Sequence, residues 1–199
     1  MLTAKRTHAT ARTLCLAPKT KACKVLLEVW LAWRGDRLLP RHADLDPCDL
    51  RTVLPHISVA EIHGPAATIV RLAGTVYRDT LGFELTGLNM VDLSPEADRG
   101  IRAYRAWVAA TQPCGMHAEN RFFYSSSAVD SFEFLTLPLA ADGPGSPPML
   151  ICAMDSLSGR RWRNNAEISL VHAPYDYFAF LDIGAGVQPP DPPADFLKA

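Results

Sequence analysis

Apolar residues recur at helical spacing near the start of the chain. Ala22, Val25, Leu26, Val29, Trp30 and Trp33 fall at i, i+3, i+4, i+7, i+8 and i+11, which predicts a helix over 21–34 with one apolar stripe. Gly35 supplies its C-terminal stop. Asp46-Pro47-Cys48-Asp49 reads as an N-cap, a proline at the first helical position and a first-turn acid, predicting a short helix that ends before Pro55. Residues 57–62 alternate apolar with small or polar side chains, His63-Gly64-Pro65 is turn chemistry, and 68–73 forms a second run stopped by Gly74, so a β-hairpin is expected. Residues 75–93, broken by Gly82 and Gly87, predict two or three helical turns packed over the sheet. Ser94-Pro95-Glu96 then opens the strongest helix: a hydroxyl N-cap, proline at N1, and Glu96 and Asp98 near the positive end of the macrodipole. Its expected apolar face is Ala97, Ile101, Tyr104, Trp107, Val108 and Thr111, and it ends before Pro113. Three strand-like runs follow at 114–124, 132–140 and 149–156. The Ser125-Ser126-Ser127 turn and the Asp142-Gly143-Pro144-Gly145 turn join them as antiparallel neighbours. A last strand over 168–183 carries Tyr175, Tyr177, Phe178 and Phe180. The fold class is α+β.

Composition narrows this further. The 199 residues are 48% apolar, 21% charged and 9% aromatic, which suits one domain of about 100–150 residues with extensions. The expected divisions are a flexible arm over 1–20, a domain over 21–157, an extension over 158–187 carrying the aromatic strand, and a Pro-rich tail over 188–199 outside the core. A formal net charge of −1 offers no basic field for nucleic acid, and Arg160, Arg161 and Arg163 read as a solvated loop. No run approaches the roughly 18–20 apolar residues of a membrane span. The basic start, with Lys5, Arg6, Arg12, Lys19, Lys21 and Lys24, has no following apolar core of a targeting peptide. Five cysteines, Cys15, Cys23, Cys48, Cys114 and Cys152, form an odd set without metal-ligand spacing, so reduced thiols and a cytoplasmic location are expected.

Two strands, a helical crossover ending in one longer helix, and a three-strand meander resemble a PAS domain. The stretches Trp30-Leu31-Ala32-Trp33-Arg34-Gly35, Leu39-Pro40-Arg41-His42-Ala43-Asp44-Leu45-Asp46-Pro47 and Leu54-Pro55-His56-Ile57 resemble the bacterial PAS_5 family, formerly a domain of unknown function. Val70-Arg71-Leu72-Ala73-Gly74-Thr75, Leu85-Thr86-Gly87 and Phe134-Leu135-Thr136-Leu137-Pro138-Leu139 continue the resemblance, which spans 25–156. Ser125–Ser127 and everything after Ser158 depart from it. The resemblance implies a five-stranded antiparallel sheet of order 2-1-5-4-3 with helices on one face, an N-terminal flanking helix, and a possible cavity between sheet and long helix. It also implies a sensory module that binds a small ligand there, or one that dimerises and relays signals.

Particular chemistries are then disfavoured or open. A haem-binding PAS domain carries a histidine on the long helix, but 95–112 holds none; His56, His63, His117 and His172 lie on strands or their ends, and His42 precedes a cap. Covalent flavin chemistry needs a cysteine between Gly74 and Pro95, and there is none; Cys152 reads as a small hydrophobe in a buried strand. Noncovalent flavin stays open, and the cofactor is unknown. Asp44, Asp46 and Asp49 with His42 read as caps and turn acids rather than metal ligands. No catalytic motif is present and Ser125–Ser127 lack a local base, so an enzyme is not expected.

The expected ligand-binding residues are Tyr77 in the crossover, Tyr104, Trp107 and Val108 on the long helix, and Phe122, Phe134 and Met149 on the sheet. Arg71 and Arg121 join them, because arginines on a covered sheet need a partner: Glu133 or Glu119 across the sheet, or an anionic ligand. By the resemblance, the N-terminal helix is expected to pack on the outer face of the sheet or on a second subunit, and Val25, Val29, Trp30 and Trp33 form the expected homodimer face. Two functional readings follow: a sensory module without its own output domain, binding a small organic molecule and signalling through a partner protein, or an interaction module with a filled core.

Overall fold

The computed structural model describes residues 16–124, 129–159, 168–169, 175–193 and 196. Most of the basic arm, Cys15, Ser125–Ser127, the three loop arginines and His172 lie outside the described residues. The elements run α1 (Lys21–Arg34), β1 (Ile57–Gly64), β2 (Ala67–Ala73), α2 (Thr75–Leu81), α3 (Glu96–Thr111), β3 (Gly115–Tyr124), β4 (Val129–Leu139), β5 (Met149–Ser156), β6 (Ile168–Ser169) and β7 (Tyr175–Leu181). The antiparallel sheet has the order β2-β1-β5-β4-β3, with β6 and β7 both pairing on the outer edge of β3. The single aromatic strand expected over 168–183 is thus two, and β7 is the longer, in register from Gly115↔Leu181 to Asn120↔Tyr175. Its partner is an edge that the PAS order would leave open.

Helices cover both faces. α1 packs against the outer face, where Leu26 and Trp30 are buried with Leu135, Leu137, Ile151 and Ala153; α2 and α3 cover the inner face. The apolar stripe of α1 is rotated from the expected one. Cys23 and Leu27 are buried, whereas Val25 and Val29 are only partly so. Trp30 Nε1 donates to the Pro138 carbonyl at 2.9 Å and Trp33 Nε1 to Asp49 Oδ2 at 2.8 Å. Both tryptophans are buried against the chain's own sheet and loop, the first of the two expected placements of this helix. Gly35, at φ 55°, ends α1 with its N–H on Leu31.

Two local expectations are corrected. Residues 46–54 form no α-helix: their backbone bonds run i to i+3, as Asp49 N to Asp46 O and Leu50 N to Pro47 O, and end in a 3-10 turn over Leu54–His56. Asp46 does cap the start, accepting from Cys48 N at 2.8 Å. Ser94 is not the cap of α3, which starts one residue later behind Pro95; its hydroxyl donates back to the Met90 carbonyl at 3.0 Å. The Pro-rich tail is also not free of the core. Tyr104 OH donates to the Pro189 carbonyl at 3.1 Å, Arg105 Nε to Pro190 at 3.0 Å, and Phe196 meets the Tyr104 ring edge-on at 5.0 Å. Prolines rule out sheet and helix but leave their carbonyls able to accept. Among the described residues no helix is long and apolar enough to cross a membrane.

Candidate functional site: a cavity on the inner face

Successive side chains on a strand point to opposite faces, and this parity decides what reaches the space between sheet and helices. On β3 the inward residues are Met116, Ala118, Asn120 and Phe122; on β4, Phe134 and Thr136; on β5, Leu150, Cys152 and Met154. With Tyr77 of α2, Arg102, Arg105 and Ala106 of α3, and Phe178 of β7, they enclose a cavity of about 240 Å³. Most of the wall is apolar, and the C-terminal extension contributes to it through Phe178.

Of the nine expected binding residues, Tyr77, Phe122 and Phe134 line this cavity. Met149 has the opposite parity and is buried under α1 with Leu139 and Ile151. Arg121 neighbours Phe122 and so faces outward, pairing with Asp176 at 2.7 Å. Arg71 lies on the edge strand β2, half exposed, 3.5 Å from Glu61. Neither arginine pairs with Glu133 or Glu119, and neither lines the cavity. Tyr104, Val108 and Trp107 pack beside the cavity with Ile62 and Leu150. The residues missed are Asn120, Cys152 and the α3 arginines. Asn120 is buried, and its Oδ1 has no hydrogen-bond partner among the described residues. Arg105 stacks 3.6 Å over the Phe178 ring. Tyr77 OH donates to the Cys152 carbonyl at 3.4 Å, and burial raises the Tyr77 pKa well above the usual phenol value.

The described thiols offer no activated nucleophile. Burial raises the pKa of Cys152 and of Cys23, and pushes Cys114 up to about 12. Among the four described cysteines only Cys48 is exposed. Alkylation with a maleimide at neutral pH, followed by peptide mapping, is expected to label Cys48 first among the described cysteines and to leave Cys23 and Cys114 unlabelled until the protein unfolds; early labelling of Cys23 would contradict the docking of α1. The acids around His42 each have a partner of their own. Asp44 sits between Arg41 and Arg37, and the Arg41 hydrogen bonds hold it well below the usual carboxylate range. Asp49 takes the Trp33 N–H, and His42 pairs with Asp142 at 3.0 Å. Among the described residues no cluster could hold a metal ion.

Opposite the cavity, the outer face carries three carboxylates in one row: Glu119 pairs with Glu133, and Glu133 with Asp155, across β3, β4 and β5. The start of α1 lands on this row. Fully buried Glu133 accepts from Lys19 N at 2.8 Å, Thr20 N at 2.6 Å and His117 Nε2 at 2.8 Å. Asp155 accepts from Ala22 N at 3.4 Å, and Lys19 Nζ reaches Glu119 at 2.6 Å. Three adjacent acids would repel one another; the helix N-terminus, a lysine and a histidine offset that. Burial alone would raise the Glu133 pKa, but the bonds from His117, Lys19 and Thr20 outweigh it and hold the group at about 2.

The sheet order, the inner-face cavity and the flanking helix agree with a PAS-domain family model that matches residues 19–154, well over half of the chain. The chain belongs to the PAS_5 family of PAS domains. Membership supports a sensory or regulatory module. No curated protein matches the chain. Among solved structures, a PAS domain from Colwellia psychrerythraea is 14% identical with a TM-score of 0.38, covering 58% of this chain and all of that one. An RNA-binding light-oxygen-voltage receptor is 18% identical with a TM-score of 0.38; the match covers 61% of this chain and 36% of the receptor. A fungal LOV-domain photoreceptor is 17% identical at a TM-score of 0.30, covering 50% and 72%.

Proposed function

We propose that this PAS domain is a sensory or regulatory module that takes up a small organic molecule in the inner-face cavity and signals by changed docking to a separate protein. The observation that carries the reading is the cavity itself: about 240 Å³ with a mostly apolar wall, where an interaction module with a filled core would hold side chains. That volume lies below the roughly 300–1,000 Å³ of drug-sized pockets, so the ligand is small. β4 connects the site to the flanking helix, since Phe134 faces the cavity while its neighbour Glu133 holds the start of α1. A shift of β4 on ligand binding moves both.

Native mass spectrometry of the purified protein, with its visible spectrum, tests this. The expected result is a small bound mass, retained from cell extract or taken up from a library of small organic compounds. Ala118→Leu places a larger side chain in the cavity and is expected to abolish that mass while leaving the fold intact by circular dichroism. A protein that stays empty throughout, or a bound mass that Ala118→Leu does not displace, would favour the interaction-module reading.

A further inference from the structure

We infer that the cavity selects a small, uncharged aromatic molecule that carries a hydrogen-bond donor, and that Asn120 receives this donor. The inference rests on the ligand-binding reading above and names the chemistry of its ligand. Three features of the wall converge on it. The first is Asn120, which lines the cavity at only 4% exposure with its Oδ1 unpartnered. A buried acceptor in an apolar wall is costly unless it is bonded, and a ligand N–H or O–H placed against it removes that cost. A ligand without a donor leaves the cost in place and loses affinity accordingly.

The second feature is charge. Among the described residues no carboxylate lines the cavity, and the charged groups there are Arg102 and Arg105, both on α3. Arg102 lies 3.8 Å from Asp98, and Arg105 bonds to Pro190 while stacking on Phe178. A cationic ligand would be desolvated beside two guanidinium groups, against a described wall that offers it no carboxylate. An anion would have to draw Arg105 away from the tail and the Phe178 ring. An uncharged molecule needs neither.

The third feature is the shape of the apolar wall. Tyr77, Phe83, Phe122 and Phe134 present rings to the cavity, and Met90 and Met154 present thioethers. Phe122 and Phe134 meet edge to face at 6.1 Å. Ring edges and sulfur both favour an aromatic guest.

The test is calorimetric titration of the full chain with indole, N-methylindole and phenethylammonium. Indole and N-methylindole are nearly matched in size and differ in the donor; phenethylammonium supplies donors on a cation. The wild type is expected to bind indole at least about tenfold more tightly than N-methylindole, and phenethylammonium more weakly than either. Asn120→Leu is expected to remove the difference between the two indoles, with near-unchanged affinity for N-methylindole. Equal affinities of the two indoles for the wild type would overturn the inference without any variant being made. Tighter binding of the cation would also overturn it, as would failure of both indoles to bind a protein that holds some other molecule in the mass-spectrometric experiment; the cavity would then keep its role as a ligand site. Indole binding that survives Ala118→Leu undiminished would place the site elsewhere and overturn both readings.

Discussion

Replacing Glu133 with alanine is expected to cost about 3–5 kcal/mol of stability, the usual penalty for removing one partner of a buried ionic group. The carboxylate is fully buried and receives two backbone N–H groups at the start of α1 as well as His117. Alanine leaves these donors without their acceptor. Urea denaturation measures the loss, and amide hydrogen exchange locates it: Lys19 and Thr20 should exchange much faster in the variant, while the central strands keep their protection relative to global unfolding. The pH dependence carries the same signature. The folded-state pKa of Glu133, at about 2, lies below its ordinary 4.5, so its contribution is complete above about pH 4.5 and is lost as the pH falls through about 2. A depression of this size is worth about 3 kcal/mol. The difference in stability between wild type and Glu133→Ala should therefore be constant from neutral pH down to about 5 and shrink below that. A difference independent of pH to 2 would show that the charge of Glu133 contributes nothing to the docking of α1.

Gly74→Ala is expected to prevent folding. Gly74 joins β2 to α2, and a Cβ there would lie 2.2 Å from the carbonyl oxygen of Pro55 and 2.4 Å from its carbonyl carbon. Both are backbone atoms of the turn leading into β1, and Gly74 N is itself tied to the Ile57 carbonyl at 2.8 Å. Neither side can yield without breaking the hairpin from its crossover, which places the cost above about 4 kcal/mol. Gly143→Ala is the control, since a Cβ there meets nothing within 4 Å and should change stability by less than about 0.5 kcal/mol. Soluble yield and thermal melts distinguish the two variants; a well-folded Gly74→Ala would show that the hairpin and crossover are less closely joined than described.

The hairpin, the long helix and the meander were legible from periodicity and turn chemistry, because each of those signals is local; their order in the sheet is non-local and came only from the resemblance to PAS domains. The site was legible only in part, and β5 shows why. Met149, Leu150, Ile151, Cys152, Ala153 and Met154 are all apolar, since α1 covers one face of the strand and the cavity lies on the other. A strand covered on both sides shows no alternation, so nothing in its pattern marks Met149 as facing away. On β3, Arg121 and Phe122 are adjacent and cannot share a face; parity alone excludes that pair. On α3, nothing in the sequence pattern marks Arg102 and Arg105 as lining the cavity, and the groups that meet Arg105, on β7 and the tail, lie far along the chain. From the sequence, Glu133 is only one of the partners open to Arg71 and Arg121. Two of its partners are backbone N–H groups more than 110 residues away, and no side-chain pattern records those.

The methionines offer the most direct test of the cavity as the ligand site. Met90, Met116 and Met154 line it, whereas Met149 is buried on the opposite face of the same sheet. Methyl NMR of protein carrying isotope-labelled methionine, titrated with indole, reads all four at once. The predicted result is a saturable shift of the Met90, Met116 and Met154 methyl signals with Met149 little moved. Bound indole that leaves those three unmoved, or that shifts Met149 most, would contradict the account.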